Sequence, residues 1–364
     1  MSNFIVKKVA VLGAGVMGAQ IAAHCINARV PVILFDLPGK EGQPRNALVG
    51  RAIETLKKLN PAPLADAAQA DLIEVGNFDD DLGKLAQADL VIEAIAERMD
   101  WKHALYARIA PHIAPHAIFA TNTSGLSITG LSSGLEASLK PRFCGVHFFN
   151  PPRYMHLVEL IPTADTDAAI LDRLETFLTS TLGKGVVRAI DTPNFIANRV
   201  GIFGMLATMH EAEKFGLSYD LVDELTGAKL GRAKSGTFRT ADVVGLDTLS
   251  HVIRTMTDKL PNDPFAALYQ QPAALQQLVA AGSHHRERVD GGIDQLAEVG
   301  TDLELLAGEG AVHDLHAVEG GVFGDAVDFR DQLPGFGGDV AAVRPGIGVV
   351  GRLHSQFAHA LQHV

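Results

Sequence analysis

One histidine and one glutamate are the side chains of this sequence whose types and spacing point most directly to chemistry. His147 ends an apolar run, Glu159 lies inside a second apolar run, and two prolines stand between the runs. Two short strands joined by a Pro-Pro turn would bring the two side chains together. A carboxylate that holds an imidazole in one tautomer and raises its basicity makes it a general base. The pair therefore predicts proton transfer, and the remaining sequence must indicate the substrate.

A glycine-rich motif near the start of the chain is typical of a nucleotide site. Residues 8–12 are an apolar run that predicts a strand, and a helical pattern follows the motif. A second apolar run, residues 32–35, ends at Asp36. The residues of the motif are Gly13, Ala14, Gly15, Val16, Met17 and Gly18. Strand, glycine loop, helix, strand and terminal acid together form a dinucleotide-binding pattern.

Each part of this pattern has a physical reason. Gly13 would permit the tight turn, Gly15 the approach of a pyrophosphate, and Gly18 the close packing of the helix on the sheet. The start of the helix would offer free N–H groups to the phosphates. Asp36 would accept hydrogen bonds from a ribose hydroxyl and repel a 2′-phosphate, which favours NAD over NADP. The competing interpretation is a glycine turn that merely closes a strand–helix–strand unit.

The elements that must position these side chains follow the same alternation. Apolar runs at residues 89–94 and 117–120 predict buried parallel strands, and the amphipathic stretches 45–59 and 99–109 predict helices. Alternating strands and helices imply a parallel sheet covered on both faces. We therefore predict an α/β fold with a Rossmann-type, doubly wound, mostly parallel sheet. Glu93, Glu97 and residues 121–124 should lie at its ligand edge.

Composition narrows the class of protein. The chain has 364 residues, 47% of them hydrophobic and 20% charged, which suits a globular protein with a large core. Cys25 and Cys144 lie in apolar runs and read as reduced core residues. A net charge of −11 argues against nucleic acid as the main partner. We expect no metal site, no signal peptide and no membrane span, and we take the cytoplasm as the location.

Five motifs, in order, resemble the 3-hydroxyacyl-CoA dehydrogenases. They are GAGVMG with Asp36, EAIAE at 93–97, TNTSGLSI at 121–128, GVHFFNPPRYMHLVELI at 145–161 and PNFIANR at 193–199. The resemblance covers residues 6–282. It extends to the dehydrogenase part of multifunctional fatty-acid oxidation enzymes that also carry an enoyl-CoA hydratase region.

The resemblance implies a reaction and four catalytic residues. An (S)-3-hydroxyacyl-CoA would be oxidised to a 3-ketoacyl-CoA in fatty acid β-oxidation, with NAD as the acceptor. His147 would take the hydroxyl proton and Glu159 would orient it. Ser124 would bond the substrate oxygen, and Asn198 would supply an amide at the forming carbonyl. Without the resemblance, a core histidine, a turn serine and a helix-surface amide are the competing interpretations.

The resemblance also implies cofactor contacts beyond the glycine loop. Glu97 and Lys102 resemble residues on the ribose and nicotinamide side of NAD, and Asn150 resembles another NAD contact. Ser124 would lie beside the nicotinamide as well as the substrate. No functional motif assigns a role to His156, which is therefore interpreted as structural.

A helical pattern replaces the alternation after residue 190. Pro193 predicts the start of a long apolar helix that runs to about residue 215, and further helices are predicted at 219–226 and 244–259. We therefore predict a cofactor domain at residues 1–190 and an all-helical domain at 191–282. In the family this second domain closes the acyl-CoA site and forms a homodimer.

The last part of the chain departs from the family pattern. A glycine-rich run around a lysine should follow residue 282 and is missing, which predicts an incomplete helical domain. Residues 283–364 contain 14 Gly and 7 His but no Lys, Met, Asn, Tyr, Trp or Cys. A non-native continuation, disorder and an unrecognised small domain all stay open for this tail. Two alternative functions stay open with it: a truncated NAD-binding protein of little activity, and a dehydrogenase of another 3-hydroxy acid.

Overall fold

The computed structural model describes residues 6–280. The chain divides into two compact units, of which the first ends at Phe195 and the second begins at Ile196. The domain boundaries predicted from the sequence stay predictions. The predictions for residues 283–364 lie outside the described residues. No helix within 6–280 is long and apolar enough to cross a membrane.

The first unit is built on one eight-stranded sheet with helices around it. Its strands are β1 (Val9–Leu12), β2 (Val32–Asp36), β3 (Glu74–Asn77), β4 (Leu90–Glu93), β5 (Ile118–Thr121), β6 (Phe143–Phe148), β7 (Leu157–Pro162) and β8 (Gly185–Arg188). Its helices are α1 (Val16–Asn27), α2 (Ala47–Leu56), α3 (Met99–Ile109), α4 (Ile128–Ser132) and α5 (Ala168–Ser180).

The order of the strands creates the ligand edge. The sheet runs β3-β2-β1-β4-β5-β6-β7-β8, and all neighbours are parallel except β6 and β7. Strand order reverses at β1, whose neighbours are β2 and β4, and ligands of such sheets bind in the crevice at that point. The side chains of β1 are fully buried, as expected for a strand covered on both faces. The predicted doubly wound fold is confirmed.

The second unit is helical. Its helices are α6 (Ala197–Lys214), α7 (Tyr219–Thr226), α8 (Phe238–Val244), α9 (Leu246–Lys259) and α10 (Ala273–Ala280). A separate apolar core joins them, with Phe203 and Leu206 of α6 packed in one cluster with Leu249, Ile253 and Met256 of α9. The predicted all-helical second part of the chain is confirmed within the described residues.

The predicted start of the long helix at Pro193 is wrong. The helix begins at Ala197, because Asn194 and Phe195 have left-handed backbone angles, with φ of 62° and 50°. A right-handed helix cannot contain such residues. Asn tolerates this conformation, whereas for Phe it is a strained exception. The linker between the two units therefore turns sharply before the helix starts.

Half-buried His24, near the end of α1, gives the first unit an acid-sensitive group. Its Nε2 lies 3.0 Å from the carbonyl oxygen of Leu182, and its Nδ1 is buried without a hydrogen-bond partner. Burial, with a smaller effect of Lys184, lowers the pKa of His24 to about 4. An unfolded chain would take up this proton near pH 6.5, so stability is lost as the pH falls from there toward 4.

We expect the free energy of unfolding to fall by up to about 2 kcal/mol between pH 7 and pH 5 through His24. His24→Gln keeps an N–H for the Leu182 carbonyl but does not titrate in this range. Urea unfolding curves of both proteins at the two pH values measure the difference. An equally steep pH dependence in His24→Gln would contradict this assignment.

Candidate active site

The glycine loop lies between the end of β1 and the start of α1. Gly13 has a φ of 105°, and a Cβ there would lie 2.8 Å from the carbonyl oxygen of Ala94. A Cβ at Gly18 would lie 1.8 Å from the carbonyl oxygen of Gly13, so α1 can pack this closely only without a side chain. Gly15 is exposed, and a Cβ there would meet nothing within 4 Å. The backbone is thus tight where it packs and open where a pyrophosphate would approach.

The rest of the loop and Asp36 complete this edge of the sheet. Ala14 and Met17 are half-buried, and Val16 is exposed. Asp36 Oδ2 accepts a hydrogen bond from the Ala14 N–H at 2.7 Å, and Oδ1 accepts one from the Leu37 N–H at 2.6 Å. The carboxylate is therefore held against the loop at the carboxyl end of β2, where a ribose bound by the loop would lie. The residues present fit a dinucleotide.

The two strands of the Pro-Pro turn bring His147 and Glu159 together. They are directly opposite each other in the antiparallel pair β6–β7, and Nδ1 of the imidazole lies 2.8 Å from Oε2 of the carboxylate. His147 is 4% exposed and Glu159 is fully buried. A carboxylate can only accept, so the bond places a proton on Nδ1, and in the neutral imidazole the lone pair is then on Nε2. This is the state that a general base requires.

Two aromatic rings hold the imidazole from the sides. The ring centroid of His147 lies 4.4 Å from that of Phe149 and 5.7 Å from that of Phe195. Phe195 is buried in spite of its left-handed backbone. These contacts were missed from the sequence. The signals for them are Phe149, two residues after His147, and the aromatic residue of the PNFIANR motif, where the sequence predicts a helix instead.

Glu97 and Ser124 meet at the carboxyl ends of β4 and β5. Oε1 of Glu97 accepts hydrogen bonds from the backbone N–H of Ser124 at 2.5 Å and from its Oγ at 3.0 Å. The Thr123 hydroxyl donates to the same carboxylate at 2.7 Å. Burial alone would raise the pKa of Glu97, but Lys102 and these donors lower it below its usual range. Glu97 is therefore a carboxylate that fixes the Ser124 loop.

A second carboxylate, Glu93, lies at the same edge of the sheet and is more deeply buried than Glu97. It is fully buried and its Oε1 lies 2.5 Å from Nζ of Lys102, which is also fully buried. Tyr106 OH donates to Glu93 Oε2 at 2.7 Å. Burial, and the nearby Glu93 charge, raise the pKa of Tyr106 well above its usual value. The sequence pattern predicts Glu93 at this edge but indicates no role for it.

Two side-chain amides tie neighbouring elements to the site. The exposed Asn150 accepts a hydrogen bond from Gln20 of α1 at 3.1 Å, which joins the β6–β7 turn to the glycine-loop helix. Asn122 Oδ1 accepts from the Phe148 N–H at 2.9 Å, next to the catalytic candidate His147. Asn122 was not singled out from the sequence, although its place directly after β5 was a signal.

The remaining candidates lie elsewhere in the fold. Asn198 belongs to the helical unit, where it is half-buried in the first turn of α6. His156 is exposed, and its ring lies against Gly185, in keeping with the structural interpretation. Within residues 6–280 no group of three or more His, Cys, Asp or Glu side chains could hold a metal ion.

Family models match both units of the chain. The model described as "3-hydroxyacyl-CoA dehydrogenase, NAD binding domain" matches residues 8–192. The model described as "3-hydroxyacyl-CoA dehydrogenase, C-terminal domain" matches residues 195–295.

Individual proteins give the same picture. A probable 3-hydroxyacyl-CoA dehydrogenase of Deinococcus radiodurans is 45% identical over 277 residues, which are 76% of this chain and 79% of that protein. One of Bacillus subtilis is 42% identical over 291 residues, again 76% of this chain but only 37% of that protein. The chain thus spans little more than a third of the Bacillus protein.

Solved structures agree with the sequence relatives. FadB2 of M. tuberculosis is 30% identical, with a TM-score of 0.66, covering 78% of this chain and 97% of that one. (S)-3-Hydroxybutyryl-CoA dehydrogenase PaaH1 of Ralstonia eutropha is 28% identical, with a TM-score of 0.64, covering 78% of this chain and 96% of that one.

Proposed function

Since this chain belongs to the 3-hydroxyacyl-CoA dehydrogenase family, an NAD-dependent group of oxidoreductases, we propose that it oxidises the 3-hydroxyl group of an acyl-CoA with NAD as the oxidant, with His147 as the base and Glu159 as its partner. The observation that carries this proposal is the 2.8 Å contact between His147 Nδ1 and Glu159 Oε2. It leaves Nε2 as the one ring nitrogen able to take a proton.

The steps assigned to the protein are few. NAD, when bound, supplies a hydride acceptor for the hydrogen on C3. His147 Nε2 takes the proton of the 3-hydroxyl as that hydride leaves, so that the C3–O bond becomes a carbonyl. The imidazolium that results is stabilised by the Glu159 carboxylate on its other nitrogen. Phe149 and Phe195 keep the ring in this orientation.

Substrate and cofactor contacts complete the proposal. Ser124 and Asn198 bind the substrate oxygen, and Glu97 holds the Ser124 loop in place. The cofactor residues are the glycine loop, which presents its N–H groups to the pyrophosphate, Asp36 on the ribose, and Asn150. Residues 1–190 are proposed to bind the cofactor, and residues 191–282 are proposed as the C-terminal domain of the family.

The physiological setting is part of the same proposal. PaaH1 is a dehydrogenase of (S)-3-hydroxybutyryl-CoA by its name, which makes a short acyl-CoA the first substrate to test here. Fatty acid β-oxidation is the proposed process, and the acyl-CoA is the proposed partner. A homodimer through the helical unit and a cytoplasmic location stay predictions from the sequence.

We expect the full chain to form NADH from (S)-3-hydroxybutyryl-CoA and NAD. We expect far slower turnover with free 3-hydroxybutyrate, which lacks the CoA part. NADP should also support far slower turnover, because Asp36 would repel its 2′-phosphate. Absorbance of the reduced cofactor measures all three rates. Equal rates with the free acid would point to a dehydrogenase of another 3-hydroxy acid, and NAD binding without turnover would point to an inactive NAD-binding protein.

A further inference from the structure

Glu93 is a carboxylate at the ligand edge whose two oxygens accept four hydrogen bonds. Its Oε1 accepts hydrogen bonds from the Ile95 N–H at 2.7 Å and from Lys102 Nζ at 2.5 Å. Its Oε2 accepts from the hydroxyls of Tyr106 and Thr121, both at 2.7 Å. The residue is fully buried. A buried charge so fully satisfied holds its neighbours in fixed positions.

Lys102 is enclosed between two carboxylates. Besides Glu93, its Nζ has the carbonyl oxygen of Ile95 at 3.3 Å and Oε2 of Glu97 at 3.5 Å. The ammonium group has three hydrogens, and these three acceptors surround it. Its side chain is 1% exposed. Lys102 is therefore bonded tightly to Glu93 and only loosely to Glu97.

Because Lys102 is only loosely bonded to Glu97, the Glu97 carboxylate can bond to the Ser124 loop. Glu97 accepts hydrogen bonds from the backbone N–H and the hydroxyl of Ser124 and from the Gly125 N–H at 3.2 Å. Its side chain is 36% exposed. These three bonds are all made by Oε1, whereas Oε2 accepts from the Thr123 hydroxyl at 2.8 Å and faces Lys102 at 3.5 Å. A movement of Oε2 onto the ammonium would turn the carboxylate and draw Oε1 away from the Ser124 loop.

We propose that Glu93 is a positioning residue for Ser124, acting through Lys102 and Glu97. The inference rests on the proposed function, in which Ser124 binds the substrate. Glu93 neutralises Lys102, so Glu97 stays on the Ser124 loop. A buried ammonium without its counter-ion is strongly destabilising. Without the Glu93 charge, Lys102 draws Glu97 toward itself, and the Ser124 loop loses its acceptor. Lys102 then serves as a buried counter-ion and not as a cofactor contact.

Glu93→Gln in the full chain tests the first step. The variant keeps the shape of the side chain but not its charge. We expect kcat/KM for (S)-3-hydroxybutyryl-CoA to fall about tenfold to hundredfold, since misplacement by about 1 Å has effects of that size. The dissociation constant of NAD should change less than about threefold.

Tyr106→Phe is the matched control. It removes one hydrogen bond to Oε2 of Glu93, the oxygen that does not contact Lys102. We expect Tyr106→Phe to lower the melting temperature less than Glu93→Gln does, because it removes one hydrogen bond and no charge. Its kcat/KM should stay within about twofold of the wild type. Equal losses of kcat/KM in Tyr106→Phe and Glu93→Gln would reduce Glu93 to a structural role and overturn the inference.

The double variant Glu93→Gln with Lys102→Met separates the two roles of Lys102. Removing both charges leaves Glu97 on the Ser124 loop, so we expect kcat/KM to recover at least about tenfold relative to Glu93→Gln. Loss of NAD binding in the double variant would mean that Lys102 contacts the cofactor, and would overturn the inference. Absence of recovery would overturn it as well.

Crystal structures of Glu93→Gln and of the double variant give a readout independent of activity. In Glu93→Gln, Lys102 Nζ should lie within hydrogen-bond distance of Glu97, with the bonds to Ser124 lost. In the double variant the bonds to Ser124 should persist. Glu97 unchanged in Glu93→Gln, or detached in the double variant, would overturn the inference. Wild-type enzyme inactive on the CoA thioester would instead overturn the proposed function.

Discussion

His147→Gln is expected to lower the rate of NADH formation by about 10²–10⁴-fold. Glutamine can still donate a hydrogen bond to Glu159, so the β6–β7 pair should survive. It cannot take the proton of the 3-hydroxyl, however, and that step then has no base. Stopped-flow measurement of NADH formation with saturating NAD and (S)-3-hydroxybutyryl-CoA gives the rate. A titration of the variant with NAD should return the wild-type dissociation constant within about twofold.

His156→Gln is the matched control for this substitution. His156 follows the same Pro-Pro turn but is exposed and lies against Gly185. We expect its replacement to leave the rate within about twofold of the wild type. Near-normal turnover in His147→Gln would remove this residue from the mechanism.

Asp36→Ala is expected to raise the dissociation constant of NAD by about tenfold to hundredfold, the range expected when a hydrogen bond to a charged group is lost. The variant loses the acceptor for the ribose hydroxyls and also the bond that Asp36 accepts from the Ala14 N–H. At saturating NAD, kcat should fall much less, because the reacting groups are untouched. Fluorescence or calorimetric titration with NAD, alongside kcat, measures the two effects separately.

Asp80→Asn is the control for a general loss of negative charge near this end of the sheet. Asp80 is an exposed acid just beyond β3, and Arg45 donates to it at 2.7 Å. NAD binding should be unchanged in this variant. We also expect Asp36→Ala to reduce the preference for NAD over NADP, because the repulsion of the 2′-phosphate is removed. Unchanged NAD affinity in Asp36→Ala would contradict the assignment of the cofactor edge.

The pairing of His147 with Glu159 could be predicted from the sequence because it depends on local rules. Two short apolar runs joined by a tight turn form an antiparallel pair, and directly opposite residues point to the same face. The glycine loop and Asp36 were predictable for a similar reason, since strand, turn and helix are consecutive in the chain. Their geometry in the structure agrees with the expectation: Gly13 and Gly18 leave no room for a Cβ.

The contacts that fix the pair could not be predicted, because they come from segments distant in sequence. Phe195 reaches His147 only since the linker adopts a left-handed turn, and Pro193 suggested a helix there instead. The partition of Lys102 between Glu93 and Glu97 depends on differences of about an ångström, which no spacing encodes. Sequence patterns give the identity of these side chains, and packing decides which partner each one holds.

A double-variant cycle on His147 and Glu159 tests the central claim most directly. We take Glu159 to act only by orienting His147 and stabilising its imidazolium form. Glu159→Gln as a single substitution should then slow NADH formation at least about tenfold. In the His147→Gln background the same substitution should change the rate less than about threefold, because the base is already gone. Equal, additive effects of Glu159→Gln in both backgrounds would contradict the claim that the two residues work as one base.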